Sequence, residues 1–210
     1  MSHFDRYNIL TDKQHGFRSK RSCETKLITT IHKIAQNLTS KEQVDIILLD
    51  FAKAFDKVPH RRFLHKLKFC GVDGTTLAWI SSFRSNQKQL LLLDGVKSSE
   101  KEVLSGVPQG TVLGTLLFLS FINDLPDATT SSDARLFADD CLLYRYVNSQ
   151  NDSDLLQKDL SAFEKWEGDW QMSFHQQKCS HQDNYKPTTC HTYTIHSTWS
   201  HSRSSTVPST

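Results

Sequence analysis

The sequence predicts a mixed α/β domain of the α+β kind, in which a small antiparallel sheet carries acidic residues and is covered by helices. Three observations predict it. Segments with apolar residues at helical spacing alternate with short β-rich runs up to about Cys179. One β-rich run, "QVDIILLDF", closes on a carboxylate, Asp50. Two more strand-like runs meet at a tight turn of two aspartates, "RLFADDCLLYR".

The elements follow in order. "CETKLITTIHKIAQNL" spaces Leu27, Ile31, Ile34 and Leu38 at helical intervals, which predicts an amphipathic helix. The run ending at Asp50 is a buried strand. "HRRFLHKLKFCG" sets Phe63, Leu64 and Leu67 between basic residues and stops at Gly71, a helix with one basic face. "KQLLLLDGVKSSEKEVL" is a hairpin, because Asp94-Gly95 is a favoured tight-turn pair between extended runs. "SGVPQG" is a loop by its Gly and Pro content, and "TVLGTLLFLSFINDLP" is a buried helix that ends before Pro126. "ARLFA" and "CLLYRYV" are strands on either side of Asp139-Asp140.

Composition excludes several classes. A chain of 210 residues with 37% hydrophobic and 23% charged side chains is long enough for one medium domain with its own core, and is neither disordered nor fibrous. A net charge of +2 is too mild to demand a nucleic-acid partner, so any basic surface has to come from local clustering. Five cysteines at irregular spacings make no secreted disulfide framework, and "MSHFDRYNIL" has no signal-peptide core. The longest apolar run, "TVLGTLLFLSFI", falls short of the roughly 20 residues that span a bilayer. An intracellular chain, in cytoplasm or nucleus and away from membranes, is expected.

The aspartate turn has two readings. Asp is a good turn former, and an ordinary turn needs nothing more. But Asp50 closes another buried strand, and sheet packing could set its carboxylate beside Asp139 and Asp140. Three carboxylates without matching Lys or Arg repel one another unless a divalent cation lies between them. Mg²⁺, a hard ion that prefers oxygen ligands, suits such a site, and a pair of ions there suits phosphoryl transfer.

Several long segments carry a family resemblance. "LLDFAKAFDKVPH", "SGVPQGTVLGTLLFLSFINDLP" and "RLFADDCLLY", in this order and spacing, resemble motifs A, B and C of the reverse transcriptases of non-LTR retrotransposons of the LINE and jockey-like kind. "QHGFRSKRSCETKL" resembles the segment before motif A, and "WQMSFHQQKC" resembles motif D. The resemblance implies a polymerase palm with a small antiparallel sheet carrying the catalytic aspartates, helices on one face, partial fingers and no thumb. It implies that Asp50, Asp139 and Asp140 hold two Mg²⁺ ions, with Mn²⁺ an alternative, and that the Phe51 backbone carbonyl is a further ligand. Phe55 matches the aromatic that lies under the incoming sugar and excludes a 2′-hydroxyl; ordinary core packing is its other reading. Gln109 and Gly110 match the segment along the nascent base pair, where composition alone gives a plain loop. Lys178 matches a motif D lysine that protonates the leaving pyrophosphate or binds the triphosphate, and reads equally well as a surface lysine. The implied activity is RNA-directed DNA synthesis, with an RNA template, a DNA primer and deoxynucleoside triphosphates as partners. Asp56 is read as structural, a helix cap. Lys53, Lys57, Arg61, Arg62, Lys66 and Lys68 form either a phosphate-attracting cluster or a solvated helix face.

Departures from the family pattern bound this reading. Thr115 stands where Pro is usual and His175 where Asn is common. The expected organisation is a short N-terminal remnant over 1–13, a palm with partial fingers over 14–179, and a disordered Ser/Thr/His-rich tail over 180–210. This pattern, truncated at both ends, keeps two other readings in play: an inactive remnant or nucleic-acid-binding module, and an unrelated palm enzyme such as a nucleotide cyclase. Cys179, Cys190, His191, His196 and His201 have none of the spacings of a zinc site.

Overall fold

The computed structural model describes residues 2–38, 43–85, 87–175, 178–182 and 187–189. A short helix α1 (Ser2–Arg6) precedes α2 (Cys23–Leu38), strand β1 (Gln43–Asp50) and helices α3 (His60–Phe69) and α4 (Gly74–Arg84). Four two-residue strands follow: β2 (Lys88–Gln89), β3 (Leu92–Leu93), β4 (Val96–Lys97) and β5 (Lys101–Glu102). Then come α5 (Val112–Ile122), a 3-10 turn (Leu125–Ala128), β6 (Asp133–Phe137), β7 (Asp140–Val147), α6 (Gln150–Trp170), β8 (Ser180–Gln182) and β9 (Pro187–Thr189). The main sheet has the order β6-β7-β1-β8-β9 and is antiparallel throughout.

Strand alternation sorts the residues of this sheet onto two faces. One face presents Ile47, Leu49, Ala134, Leu136, Cys141 and Leu143 to the main core, where they meet Phe63 and Leu67 of α3, Phe118 and Phe121 of α5, and Leu160 and Phe163 of α6. Each fully buried Leu or Phe here contributes about 1.5–3 kcal/mol, so three helices are held on this face. The opposite face carries Val44, Leu142 and Tyr144, a small cluster joined by Ile34 of α2, and the same alternation places Asp50 and Asp140 on it. Packing of helices on one face therefore holds for α3, α5 and α6, while α2 lies across the other.

The expected elements form, with informative differences. In the hairpin, Asp94 and Gly95 both have positive φ, 49° and 82°, the primed turn that matches strand twist. Helix α5 starts where Thr111 accepts a hydrogen bond from the Gly114 amide at 2.9 Å, and Pro126, lacking an amide hydrogen, falls in the 3-10 turn beyond it. Helix α2 forms, and Ile34 of the predicted stripe packs inward, but the other inward residues are Lys26 and Thr30. Leu27 and Ile31 remain more than half exposed, and the Leu38 side chain lies outside the described residues. Helix α3 is capped by Pro59 and not by Asp56, which is exposed and holds the "SGVPQG" loop by accepting the Ser105 hydroxyl on its carbonyl at 2.7 Å.

The basic face of α3 is also smaller than expected. Lys66, three residues on from Phe63, turns into the core, pairs with Asp124 at 2.5 Å and sits over the Trp170 ring at 3.7 Å. Burial lowers its ammonium pKa to about 8 against the pull of Asp124. Of the residues expected as a disordered tail, 180–182 form β8 on β1 and 187–189 form β9 on β8, and the rest lie outside the described residues. The β1 edge supplies unpaired backbone groups, and any extended segment can satisfy them whatever its side chains. Cys190, His191, His196 and His201 lie outside the described residues. Among the described residues, no helix is long and apolar enough to cross a membrane.

Candidate active site

The acids meet because of register. In the β1–β7 ladder Asp50 is the direct partner of Asp140, at the end of both strands. Residues paired across antiparallel strands point to one face, so these carboxylates share the sheet face opposite the main core. Asp139 lies between β6 and β7, behind Ala138, which is in the left-handed region at φ 53°. Burial raises the Asp139 carboxyl above the usual aspartate range; its own backbone amide opposes this, while the charges of Asp140 and Asp50 add to it. Two positive groups answer the acids. Lys178 is 128 residues from Asp50 in sequence, yet its Nζ donates to Asp50 Oδ2 at 2.7 Å, and this hydrogen bond raises the lysine pKa. On α2, burial lowers the pKa of Lys26, with Cys141 and Asp140 pulling the other way.

Motif D reaches Asp50 through the backbone. The His175 amide donates to the Asp50 carbonyl at 2.6 Å, and the Ala52 amide to the Ser173 carbonyl at 2.7 Å. These bonds pair Phe51 with Phe174, whose rings stack at 4.4 Å in the core. The Phe51 side chain is therefore a core residue, and only its main chain can serve the site.

A second cluster lines a cleft of about 600 Å³ that includes Phe55, Gln109, Gly110 and Thr115. Phe55 stacks on Phe118 at 4.5 Å, so its ring is both core and cleft wall. Gln109 and Gly110 are exposed in the loop before α5, with Gly110 at φ 78°. Arg84, buried at the end of α4, fixes this loop by donating to the Gly106 carbonyl at 2.7 Å while lying over the Phe63 ring. Burial lowers its guanidinium to about 10. Replacing Arg84 with Leu is expected to cost on the order of 2 kcal/mol, the worth of a charged hydrogen bond. Urea denaturation and faster proteolysis at residues 105–110 would both register it.

Gln14 and Gly16 form a lock that composition does not signal. The Gln14 side chain donates to the Ala138 carbonyl at 3.2 Å and accepts from the Ala138 amide at 2.9 Å, and the Gly16 amide donates to it at 2.7 Å. The His15 amide donates to the Leu136 carbonyl at 2.9 Å, so this segment lies as an added strand beside β6. A Cβ on Gly16 would stand 2.2 Å from the Ala138 nitrogen. Gln14 thus satisfies both backbone groups of the residue before Asp139.

The donor types suit a hard divalent cation, since Asp50, Asp139 and Asp140 offer carboxylate oxygens at the ends of neighbouring strands. Among the described residues, no three acidic, histidine or cysteine side chains are gathered into a ready-made cage. Mg²⁺ is commonly held by one or two carboxylates, with water and substrate phosphates completing its shell. The residues present fit that mode.

Comparisons with known proteins give the family and the fold. A family model described as reverse transcriptase (RNA-dependent DNA polymerase) matches residues 1–195. The chain is 31% identical over 175 residues to the RNA-directed DNA polymerase from mobile element jockey of Drosophila funebris, an alignment covering 80% of this chain and 19% of the relative. It is 29% identical over 175 residues to the probable RNA-directed DNA polymerase from transposon X-element of Drosophila melanogaster, covering 81% and 19%. The chain thus spans about a fifth of the length of these curated relatives. In fold it is similar to telomerase from Candida tropicalis, solved with the TWJ fragment of telomeric RNA, at a TM-score of 0.60 and 10% identity, covering 81% of this chain and 30% of that one.

Proposed function

The chain belongs to the reverse transcriptase (RNA-dependent DNA polymerase) family, and on that premise we propose that it is the polymerase palm of a non-LTR retrotransposon. It would add deoxynucleotides to a primer 3′-hydroxyl on an RNA template. The observation that carries this reading is the pairing of Asp50 with Asp140 across β1 and β7, with Asp139 in the adjoining turn.

Asp50, Asp139 and Asp140 would hold Mg²⁺, or Mn²⁺ in its place, with the Phe51 carbonyl as a further ligand. Bound there, two ions supply activation of the attacking hydroxyl and stabilisation of the leaving pyrophosphate. The chain's residues do the rest. Lys178 keeps its proton at Nζ through the hydrogen bond to Asp50, and would pass it to pyrophosphate or bind the triphosphate. Phe55, backed by Phe118, is a firm wall under the incoming sugar and leaves no room for a 2′-hydroxyl. Gln109 and Gly110 border the nascent pair.

Primer extension tests the reading. The 210-residue chain is expected to extend a DNA primer on RNA with Mg²⁺ and deoxynucleotides, and to stop when a chelator removes the ion. Absence of extension by a folded chain that still binds primer and template would refute the catalytic reading and favour a binding module.

A further inference from the structure

The cleft has one aromatic wall that this mechanism does not use. Phe17 is 55% exposed and lines the cleft with Phe55, Val112 and Leu116. Its φ is 55°, the left-handed region that a bulky residue enters only when its surroundings hold it there. They do so on both sides. The Gly16 amide is tied to Gln14, and Arg18 donates to the carbonyls of Leu10 at 3.1 Å and Thr11 at 2.6 Å. A strained backbone therefore presents an open aromatic ring to solvent at the mouth of a cleft.

We propose that Phe17 is the stacking surface for a template-strand nucleobase beside the carboxylate turn. This rests on the polymerase reading above. The chemistry of the cleft selects the ligand. Its lining residues are uncharged, with apolar walls and the amide of Gln109 beside the hydroxyls of Thr111 and Thr115, which are bonded to the chain, and this suits a flat base with a hydrogen-bonding edge and not a phosphate. The ring of Phe55 is already stacked on Phe118, which leaves Phe17 as the open ring. The flanking loop favours a strand over a free nucleotide. Lys20, three residues on, is an exposed cation beside this aromatic, the pairing that a single-strand platform uses, while Arg18 and Arg21 are engaged with Asp12 and brace the loop. Gly16 packs against Ala138, so the backbone that carries Phe17 is anchored to the residue before Asp139.

The test is equilibrium binding of the full chain to a primer–template carrying fluorescent aminopurine at the first unpaired template position. Wild type and Phe17→Trp are expected to quench the fluorescence, and Phe17→Ala to bind at least about five-fold more weakly. With an abasic site at that position, and binding read instead by the anisotropy of a dye on the primer 5′ end, the difference is expected to vanish. Equal binding by Phe17→Ala overturns the proposal and leaves the polymerase reading standing. A difference that persists on the abasic template also overturns it, because the ring would then serve another ligand. No binding by any of the proteins overturns both.

Discussion

Asp139→Asn is expected to abolish primer extension while making the metal-free protein more stable. On the proposed reading, the activity loss follows from removing a carboxylate that would hold Mg²⁺. Such a ligand is worth several kcal/mol of transition-state stabilisation, a fall of about a thousand-fold or more. The stability gain follows from the direction of the Asp139 shift. Its carboxyl titrates above the ordinary aspartate value in the folded chain, chiefly through burial, with Asp140 and Asp50 adding to it. Between the unfolded and folded pKa values the folded state binds more protons, so this group's contribution to stability falls as pH rises through that window. Above the folded value the full penalty is present. Asparagine keeps the shape and removes the charge, so thermal melts in chelator should show a higher midpoint for the variant at pH 7, with the difference narrowing as pH approaches 4. A lower midpoint at neutral pH would show that the carboxylate stabilises the turn, contrary to this account.

Gly16→Ala is expected to destabilise the fold by at least about 3 kcal/mol, at the upper end for an overpacked site. The added methyl would meet backbone at three points, the nearest being the Ala138 nitrogen at 2.2 Å. No rotamer change can relieve a clash with main chain. The segment must move away from β6, and the Gln14 bonds to Ala138 go with it. Gly110→Ala is the comparison: nothing lies within 4 Å of its added Cβ, and only its positive φ opposes the substitution, a cost of about 1–2 kcal/mol. Urea denaturation of both variants separates steric from conformational cost. Equal losses would mean that the contact between Gly16 and the aspartate turn is looser than its geometry indicates.

Sequence patterns carried different elements unequally well. Strand β1, the aspartate turn, the hairpin at Asp94-Gly95 and helix α5 were legible because each has a local cause: a β-rich run, a turn pair, or a helix bounded by a cap and a proline. Helix α6 was not singled out, although Leu156, Leu160, Phe163 and Trp166 repeat at helical spacing and are buried. Polar residues dominate its composition and mask the stripe. The inward face of α2 was read correctly at Ile34 and misread in its first two turns, because Leu27 and Ile31 are the more apolar choice, whereas the sheet face it crosses ends in carboxylates and takes Lys26 instead. Lys66 counted as surface charge until three aromatic rings and Asp124 enclosed it.

By itself the sequence determined the kind of chemistry: carboxylates at strand ends, the motif order that marks the family, and the loops that border a cleft. These are properties of residue type and local spacing, which a chain carries before it folds. Only the tertiary structure decided which charges meet. Lys178 reaches Asp50 because motif D runs beside β1, and Gln14 reaches Ala138 across 124 residues because its segment pairs with β6. Contacts at such separations depend on strand order and register, quantities set by the burial of a whole sheet face and written in no short stretch of residues.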